Sequence, residues 1–485
     1  MIITVDQSPV GSGKTHNALT HAIRAGGRWL FAVERIESIA ELAALTERLA
    51  RSTIARPKIV PISSASTAST AKRGESVRVQ IEALPEQYQA GDVIAFCTHE
   101  AILKCDFRAF AGWHFVCDEV PSILHIAKMQ TKLDRPFFES YFELEHVHAG
   151  WSLIKPTAEG RLLNGSDLMQ CDGHARLRKL HEIVVGFDAE QTGQAALCNM
   201  QNWSEMEGDR VVWVWWSQFS FAQLSPFSTV TVLASRFFDS FAYHIAESWN
   251  PEIKWIKAPA LPVRPFAKRK VSIRYFLKAR LAAKSFFETT EGHRHLIPIA
   301  EHISKACPKN KLIWSCNETS KKVLATHLPK GGFYSPKQAG TSLLMSNTHA
   351  AMIYAAKPSR EVRLVLKATG ASTMEWIRTN EHETILQFVS RTSVRDASSS
   401  EDVMIFVYDH AQAIAVQNYF ESQPHNTVDV RHVDLNLPAS LKPRGRPRAG
   451  RTKAEAALHE TARKITRAKQ QRDRRDRAKA IEAAP

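Results

Sequence analysis

Ser8-Pro-Val-Gly-Ser-Gly-Lys-Thr15 constrains this chain more than any other stretch. It follows a short apolar run, Met1-Ile-Ile-Thr-Val5, and precedes Asn17-Ala-Leu-Thr-His-Ala-Ile23, which reads as a helix. Strand, glycine-containing loop and helix, in that order, are what a phosphate-binding loop requires. Gly11 and Gly13 let the backbone curl so that successive N–H groups point at phosphate oxygens. Lys14 reaches the β- and γ-phosphates, and the Thr15 hydroxyl ligates Mg²⁺. Ser8 stands where the pattern usually has Gly or Ala, a sterically mild change. The bland alternative, a chance Gly/Ser loop before a helix, is disfavoured by the flanks. Ser8, Gly11, Ser12, Gly13, Lys14 and Thr15 are the candidate nucleotide-binding residues.

At 485 residues the chain has room for two or three domains with substantial cores. No run of about 18 apolar residues occurs, so no transmembrane helix and no membrane partner are expected. The N-terminus enters the first strand at once, so no signal peptide is expected. Seven cysteines are scattered without a C-x-x-C pair, which excludes a disulfide framework and fits a reducing, cytoplasmic location in a bacterium or a host cell. Cys171-Asp-Gly-His174 lacks the second pair that a zinc site needs. Net charge is +15, and the last 44 residues hold 15 Lys/Arg against 5 Asp/Glu, hence +10 of it. A basic tail on a mildly basic body suggests a polyanionic partner, nucleic acid first.

Beyond the loop, Trp29-Leu-Phe-Ala-Val33 suits a buried parallel strand, and Ile36 to Leu49 has apolar residues near helical spacing. Residues 62–75 are small and polar and read as a surface loop. Val93-Ile-Ala-Phe-Cys97 and Trp113-His-Phe-Val-Cys117 are further strands, and the alternation with helices predicts a doubly wound parallel sheet. The second of these runs into Asp118-Glu119. Asp118 there is placed to hold Mg²⁺, and Glu119 to polarise the water that attacks the γ-phosphate. The alternative, a solvated strand end, does not explain the position of the pair downstream of a phosphate loop.

From residue 127 to about 226 the alternation breaks, and we read an inserted subdomain. Within Val211-Val-Trp-Val-Trp-Trp216, Trp213 and Trp215 fall on one face of a strand and Trp216 on the other. These tryptophans read first as core, with a stacking platform for single-stranded bases as the sharper alternative. The sheet resumes at Val230-Thr-Val-Leu-Ala-Ser-Arg236. A second α/β pattern starts near residue 270, with strands at Val271–Phe276, Lys311–Cys316, Ala350–Ala355 and Met404–Tyr408. Gln387-Phe-Val-Ser-Arg-Thr-Ser-Val-Arg395 is expected on a helix, with Arg391 and Arg395 on one face.

This ordered set resembles the superfamily 2 (DEAD/DEAH-like) helicases, in the manner of those encoded by phages and plasmids. Ser8–Thr15 resembles motif I, Trp29–Glu34 motif Ia, and Thr98-His99 motif Ib. Asp118-Glu119-Val120-Pro121 resembles motif II and Leu233-Ala-Ser235 motif III. Leu312–Cys316 resembles motif IV, Gly340-Thr341 motif V, and Gln387–Arg395 motif VI. The resemblance spans roughly residues 1–410. It implies an α/β chain of two RecA-like domains in tandem, residues 1–240 with the insertion at about 127–226 and residues 241–436, followed by a basic tail over 437–485. It also implies ATP and Mg²⁺ bound between the domains. Arg395 or Arg391 would stabilise charge on the γ-phosphate, Gln387 would sense the nucleotide, and Ser235 would couple hydrolysis to the strand. The motif VI arginines are spaced by four rather than the family's usual three, so either could be the finger. No Q-motif precedes the loop.

Lys442-Pro-Arg-Gly-Arg-Pro-Arg448 resembles an AT-hook, whose arginines lie along an A/T minor groove. Residues 452–479 are Ala-, Glu-, Lys- and Arg-rich and suit a helix on a phosphate backbone or a disordered solubility tail. The expected activity is an ATP-dependent DNA helicase or translocase serving replication or recombination of a mobile element. DNA is preferred over RNA, the 442–485 tail is an auxiliary duplex contact, and replication proteins are possible partners. A DNA-packaging motor ATPase and a nucleotide-switched replication initiator are the alternatives.

Overall fold

Short apolar strands, the central ones buried on both faces, build the N-terminal sheet of the computed structural model. The described residues are 1–437 apart from 10, 54–55, 65–75, 132–134, 149–150, 164–167, 169–173, 200–210, 260–264, 279–282 and 337–343. The strands are β1 (Ile2–Asp6), β2 (Arg28–Val33), β3 (Lys58–Pro61), β4 (Val93–Thr98) and β5 (Trp113–Asp118). In β2, Trp29, Phe31 and Val33 pack with Leu19, Ile23 and Ile39 of the helices Lys14–Ala25 and Ile36–Ala50. Leu30 and Ala32 enter the opposite cluster with Phe107 and Phe115. Helices on both faces explain why these strands read as continuous apolar runs. Each buried Leu or Phe side chain contributes about 1.5–3 kcal/mol by removal from water.

After β5 the chain leaves this sheet to form the antiparallel β6 (Leu124–Thr131), β7 (Phe142–His148), β8 (Trp151–Pro156), β9 (Gln194–Asn199) and β10 (Val211–Phe219), in the order β6-β10-β9-β8-β7. The strand period of two gives this sheet two apolar faces. Trp213 and Trp215 lie under the helices Arg135–Tyr141 and His174–Asp188, together with Phe138, Leu177 and Leu180. Trp216 and Leu197 face the other way and join the core of the first sheet. All three tryptophans are buried, so they are core residues and offer no platform for bases. Residues 171–173 of the Cys171–His174 string lie outside the described residues.

The chain then returns through β11 (Thr229–Leu233) and β12 (Lys254–Lys257) to complete a seven-stranded parallel sheet, ordered β12-β1-β11-β5-β2-β4-β3. The first sheet thus runs on beyond residue 240, and the helix Phe241–Trp249 packs into its core. A second parallel sheet is built from β13 (Arg269–Leu277), β14 (Leu312–Cys316), β15 (His349–Ile353), β16 (Val403–Asp409) and β17 (Asn426–His432), ordered β14-β15-β16-β13-β17. Two parallel α/β sheets in tandem, the first carrying an insertion, agree with the expected fold class. The chain after β15 crosses between them. The helix Arg360–Ala368, after β15, buries Val365, Leu366 and Ala368 in the first-sheet core beside Phe241 and Ile245. Residues 1–435 accordingly form one compact unit. Among the described residues no helix is long and apolar enough to cross a membrane. The motif V residues Gly340-Thr341 and the 442–485 tail lie outside the described residues.

Candidate active site

Strand register sets the floor of the site. Asp6 of β1 pairs level with Leu233 of β11, and Leu233 pairs level with Asp118 of β5. The C-terminal ends of these three strands therefore form one edge, where parallel α/β sheets present ligand-binding loops. The loop leaving β1 carries Gly11 at φ 80° and Gly13 at φ 87°, both left-handed and strained for any other residue. Gly13 caps the helix Lys14–Ala25, whose first turn holds no acidic residue, so its free N–H groups and dipole favour an anion.

Lys14 Nζ donates to Ser8 O (2.6 Å) and Pro9 O (3.0 Å). Burial lowers its pKa, while Asp6, Asp118, Glu119 and Glu383 act against that shift. Thr15 Oγ1 donates to Asp118 Oδ1 at 2.9 Å. A hydroxyl and a carboxylate this close are within reach of one hard divalent cation. Ser8 Oγ and Ser12 Oγ are buried with no hydrogen-bond partner. The residues thus fit Mg²⁺ and a nucleotide phosphate: a helix N-terminus, an ammonium, a hydroxyl beside a carboxylate, and two unengaged serine hydroxyls. Among the described residues, no group of three or more His, Cys, Asp or Glu side chains is placed to hold a metal by itself.

Asp118 and Glu119 are both half-buried at the cleft floor. Burial raises the Asp118 carboxyl, against the Thr15 hydrogen bond and the Lys14 charge. Burial, with like charge from Asp118 and Glu34, pushes Glu119 up to about 8. Glu119 sits at φ 70°, and its N–H donates to Leu233 O at 3.0 Å, so the neighbouring strand end fixes an unfavourable backbone conformation.

The second sheet supplies the opposite wall. Arg395 lies against the loop, its Cγ only 3.4 Å from where a Cβ on Gly11 would stand. Burial lowers the Arg395 pKa, and the charges of Glu119 and Asp118 oppose this. Arg391 is buried deeper, with Nη1 unpartnered, and burial brings it down to about 10 despite Glu119. The sequence expectation of one helix carrying both arginines is corrected here. The helix Glu383–Val389 stops before Arg391, and Arg395 belongs to the 3-10 turn Ser393–Arg395. The break follows from outside hydrogen bonds: Ser393 N donates to Asn347 O (2.8 Å), and the buried Arg269 guanidinium donates to Ser393 O and Asp396 O. The two arginines therefore approach from different depths rather than from one face.

Gln387 lines the same cleft, whose volume is about 1100 Å³, somewhat above the usual range for small-molecule sites. Sequence reasoning missed three participants. Asp6 accepts from Ser8 N at 2.8 Å and fixes the start of the loop. Gln7, with its amide turned so that the carbonyl oxygen faces the donors, accepts from Phe237 N (2.9 Å) and Phe238 N (2.8 Å), tying the loop to the turn after Ser235. Glu383 accepts from Ser235 Oγ at 3.2 Å across the cleft. It lies one helical turn before Gln387, a spacing that could have drawn attention to it.

No family model matches the chain, and no curated protein matches it. Among solved structures it is similar to an XPD helicase at TM-score 0.43 and 9% identity, covering 89% of this chain and 96% of that one. It is similar to Xpd4 of S. tokodaii at TM-score 0.41 and 12% identity, covering 88% and 95%. It is also similar to Dbp5 of S. cerevisiae bound to RNA and ADP BeF3, at TM-score 0.36 and 9% identity, covering 89% and 85%.

Proposed function

We propose that this chain is an ATP-dependent nucleic-acid helicase or translocase of superfamily 2 type. The observation that carries the reading is Arg395, brought from the second sheet onto Gly11 of the phosphate loop and opposite Asp118 and Glu119. A loop that only stored nucleotide would not need a cation from a separate sheet. A hydrolase that stabilises charge developing at the γ-phosphate does.

In this reading the loop N–H groups and Lys14 bind the phosphates, while Thr15 and Asp118 hold Mg²⁺. When bound, that ion neutralises phosphate charge. A carboxylate oxygen of Glu119 takes the proton of the attacking water, and its fixed backbone keeps that oxygen directed into the cleft. Arg395 acts as the finger. Arg391, behind it, supports the Glu119 carboxylate. Gln387 reads the nucleotide from the second sheet.

DNA is proposed as the substrate strand on the strength of the basic 442–448 string, and the mobile-element role on the sequence resemblance alone. The test is ATP turnover with single-stranded DNA, duplex DNA or RNA as competing stimulators. Stimulation by DNA, lost in Lys14→Ala and Glu119→Gln, is expected. An ATPase indifferent to all three would overturn the reading. Binding without turnover would favour a nucleotide-switched initiator.

A further inference from the structure

The cleft does not end at Glu119. It continues along His99, Leu103, Lys104 and Leu124 to His125 and Lys179. His125 stands near the start of β6, and Lys179 on the helix His174–Asp188 of the inserted subdomain. Leu124 packs into the first-sheet core, so strand alternation turns His125 the other way, toward that helix. There Lys179 Nζ lies 3.4 Å from His125 Nε2. The His125 ring meets Trp215 edge-on at 6.3 Å, so the core of the insertion helps to fix its position.

A lysine against a histidine is a mismatch that an anion resolves. The ammonium has donors only, so His125 can accept from it only as the neutral imidazole. Burial and the Lys179 charge lower the His125 pKa, against Glu100. Among the described residues Lys179 pairs with no carboxylate, whereas exposed Arg178 beside it pairs with Glu182 at 2.8 Å. Glu100 also lines this end of the cleft and is engaged by Lys104 at 3.5 Å. An anionic oxygen between Lys179 and His125 accepts from both. Leu103 and Leu124 line the cleft beside them and offer apolar surface to a sugar or base. A site inside a cleft admits one strand, whereas a duplex carries its phosphates on the outside of a broad cylinder. A phosphodiester strand therefore fits better than a duplex.

We propose that Lys179 and His125 form a phosphate seat for a single nucleic-acid strand, so that the inserted subdomain supplies one wall of the strand-binding site. The inference rests on the helicase or translocase reading above and says where the strand meets the cleft. Val120–Leu124 runs directly from Glu119 to His125, so the seat and the water-activating carboxylate stand at the two ends of one short segment.

The test titrates labelled oligo-dT, oligo-U and a DNA duplex into full-length wild type, Lys179→Ala, Lys179→Arg, His125→Ala and Arg178→Ala, over a range of salt concentrations. Lys179→Ala is expected to weaken oligo-dT binding about fivefold and to flatten its logarithmic salt slope by about 0.7, the value for one phosphate on a single strand. His125→Ala weakens it about twofold, and Lys179→Arg, which keeps the charge, stays within about twofold of wild type. Arg178→Ala, one residue away and outside the seat, leaves affinity and slope unchanged. Duplex binding, which the 442–485 tail carries in this reading, shifts less than about twofold in every variant. Oligo-U should lose affinity in parallel with oligo-dT, because a phosphate contact carries no base information. An unchanged slope in Lys179→Ala, an equal loss in Arg178→Ala, a duplex loss as large as the single-strand loss, or a loss confined to one base would each overturn the seat. If the variants shift as expected but no strand accelerates wild-type ATP turnover, the helicase reading falls and the seat stands. If strands accelerate turnover and Lys179→Ala binds as wild type does, the seat alone falls.

Discussion

Gly13 and Arg395 show how much single residues decide at this cleft. At φ 87°, Gly13 holds the turn that aims the loop N–H groups, and a side chain there is strained whatever space surrounds it. Gly13→Ala is expected to cost about 1–2 kcal/mol in urea unfolding and to weaken nucleotide binding far more than that loss alone explains. Under the proposed function Arg395 is the converse case, a side chain that acts in the cleft rather than in stability. Arg395→Ala is expected to lower ATP turnover by about 10³-fold or more, with nucleotide binding retained and little change in melting temperature. A turnover loss below about tenfold would move the finger role to Arg391.

At the scale of elements, polar groups hold the second sheet's helices in place. Asp409 ends β16 and caps the helix His410–Glu421 through Oδ1, which accepts from Gln412 N at 3.0 Å, while Oδ2 is buried without a partner. Burial pushes its carboxyl up to about 6. Between the ordinary carboxylate value and about 6, the folded chain therefore holds a proton that the unfolded chain has lost. The stability linked to this proton is complete below about pH 4 and disappears as pH rises to about 6. Asn caps as well as Asp and does not ionise. Asp409→Asn should match wild type near pH 4 and exceed it by about 1–2 kcal/mol at pH 7, read from melting curves at both values. In the inserted sheet, Trp213 is fully buried beneath the helices that cover it. Trp213→Ala should cost about 3–5 kcal/mol of that subdomain's stability. Single-strand affinity, compared at a temperature where the variant remains folded, should not change.

Among the described residues the two parallel-sheet units meet through contacts of opposite character. In one place the helix Arg360–Ala368 sinks apolar residues into the first-sheet core; in another, charged side chains face each other across the cleft. Apolar burial does not respond to charge entering the cleft, so under the proposed function nucleotide-dependent movement is expected on the polar side. The 1–435 unit has its own cores, so removing residues 442–485 should leave the melting temperature within about a degree of wild type. If the tail meets phosphates, the same truncation should weaken duplex binding and flatten its salt dependence in a titration between 50 and 200 mM salt. An unchanged slope would remove the tail from the nucleic-acid interface.

Local patterns in the sequence determined the two parallel sheets, the phosphate loop and the Asp118-Glu119 pair. Apolar runs, glycine positions and strand-end carboxylates act through near neighbours, and near neighbours are what a sequence displays. The π-helical turn, the early end of the helix before Arg391 and the Ser235–Glu383 bond were decided only by the tertiary structure. Each depends on a partner more than 40 residues away in the chain: Phe241 for the turn, Asn347 and Arg269 for the helix end, and Ser235 for Glu383. Hydrogen bonds formed after the sheets pack override local helical preference, and no spacing within a single segment records them.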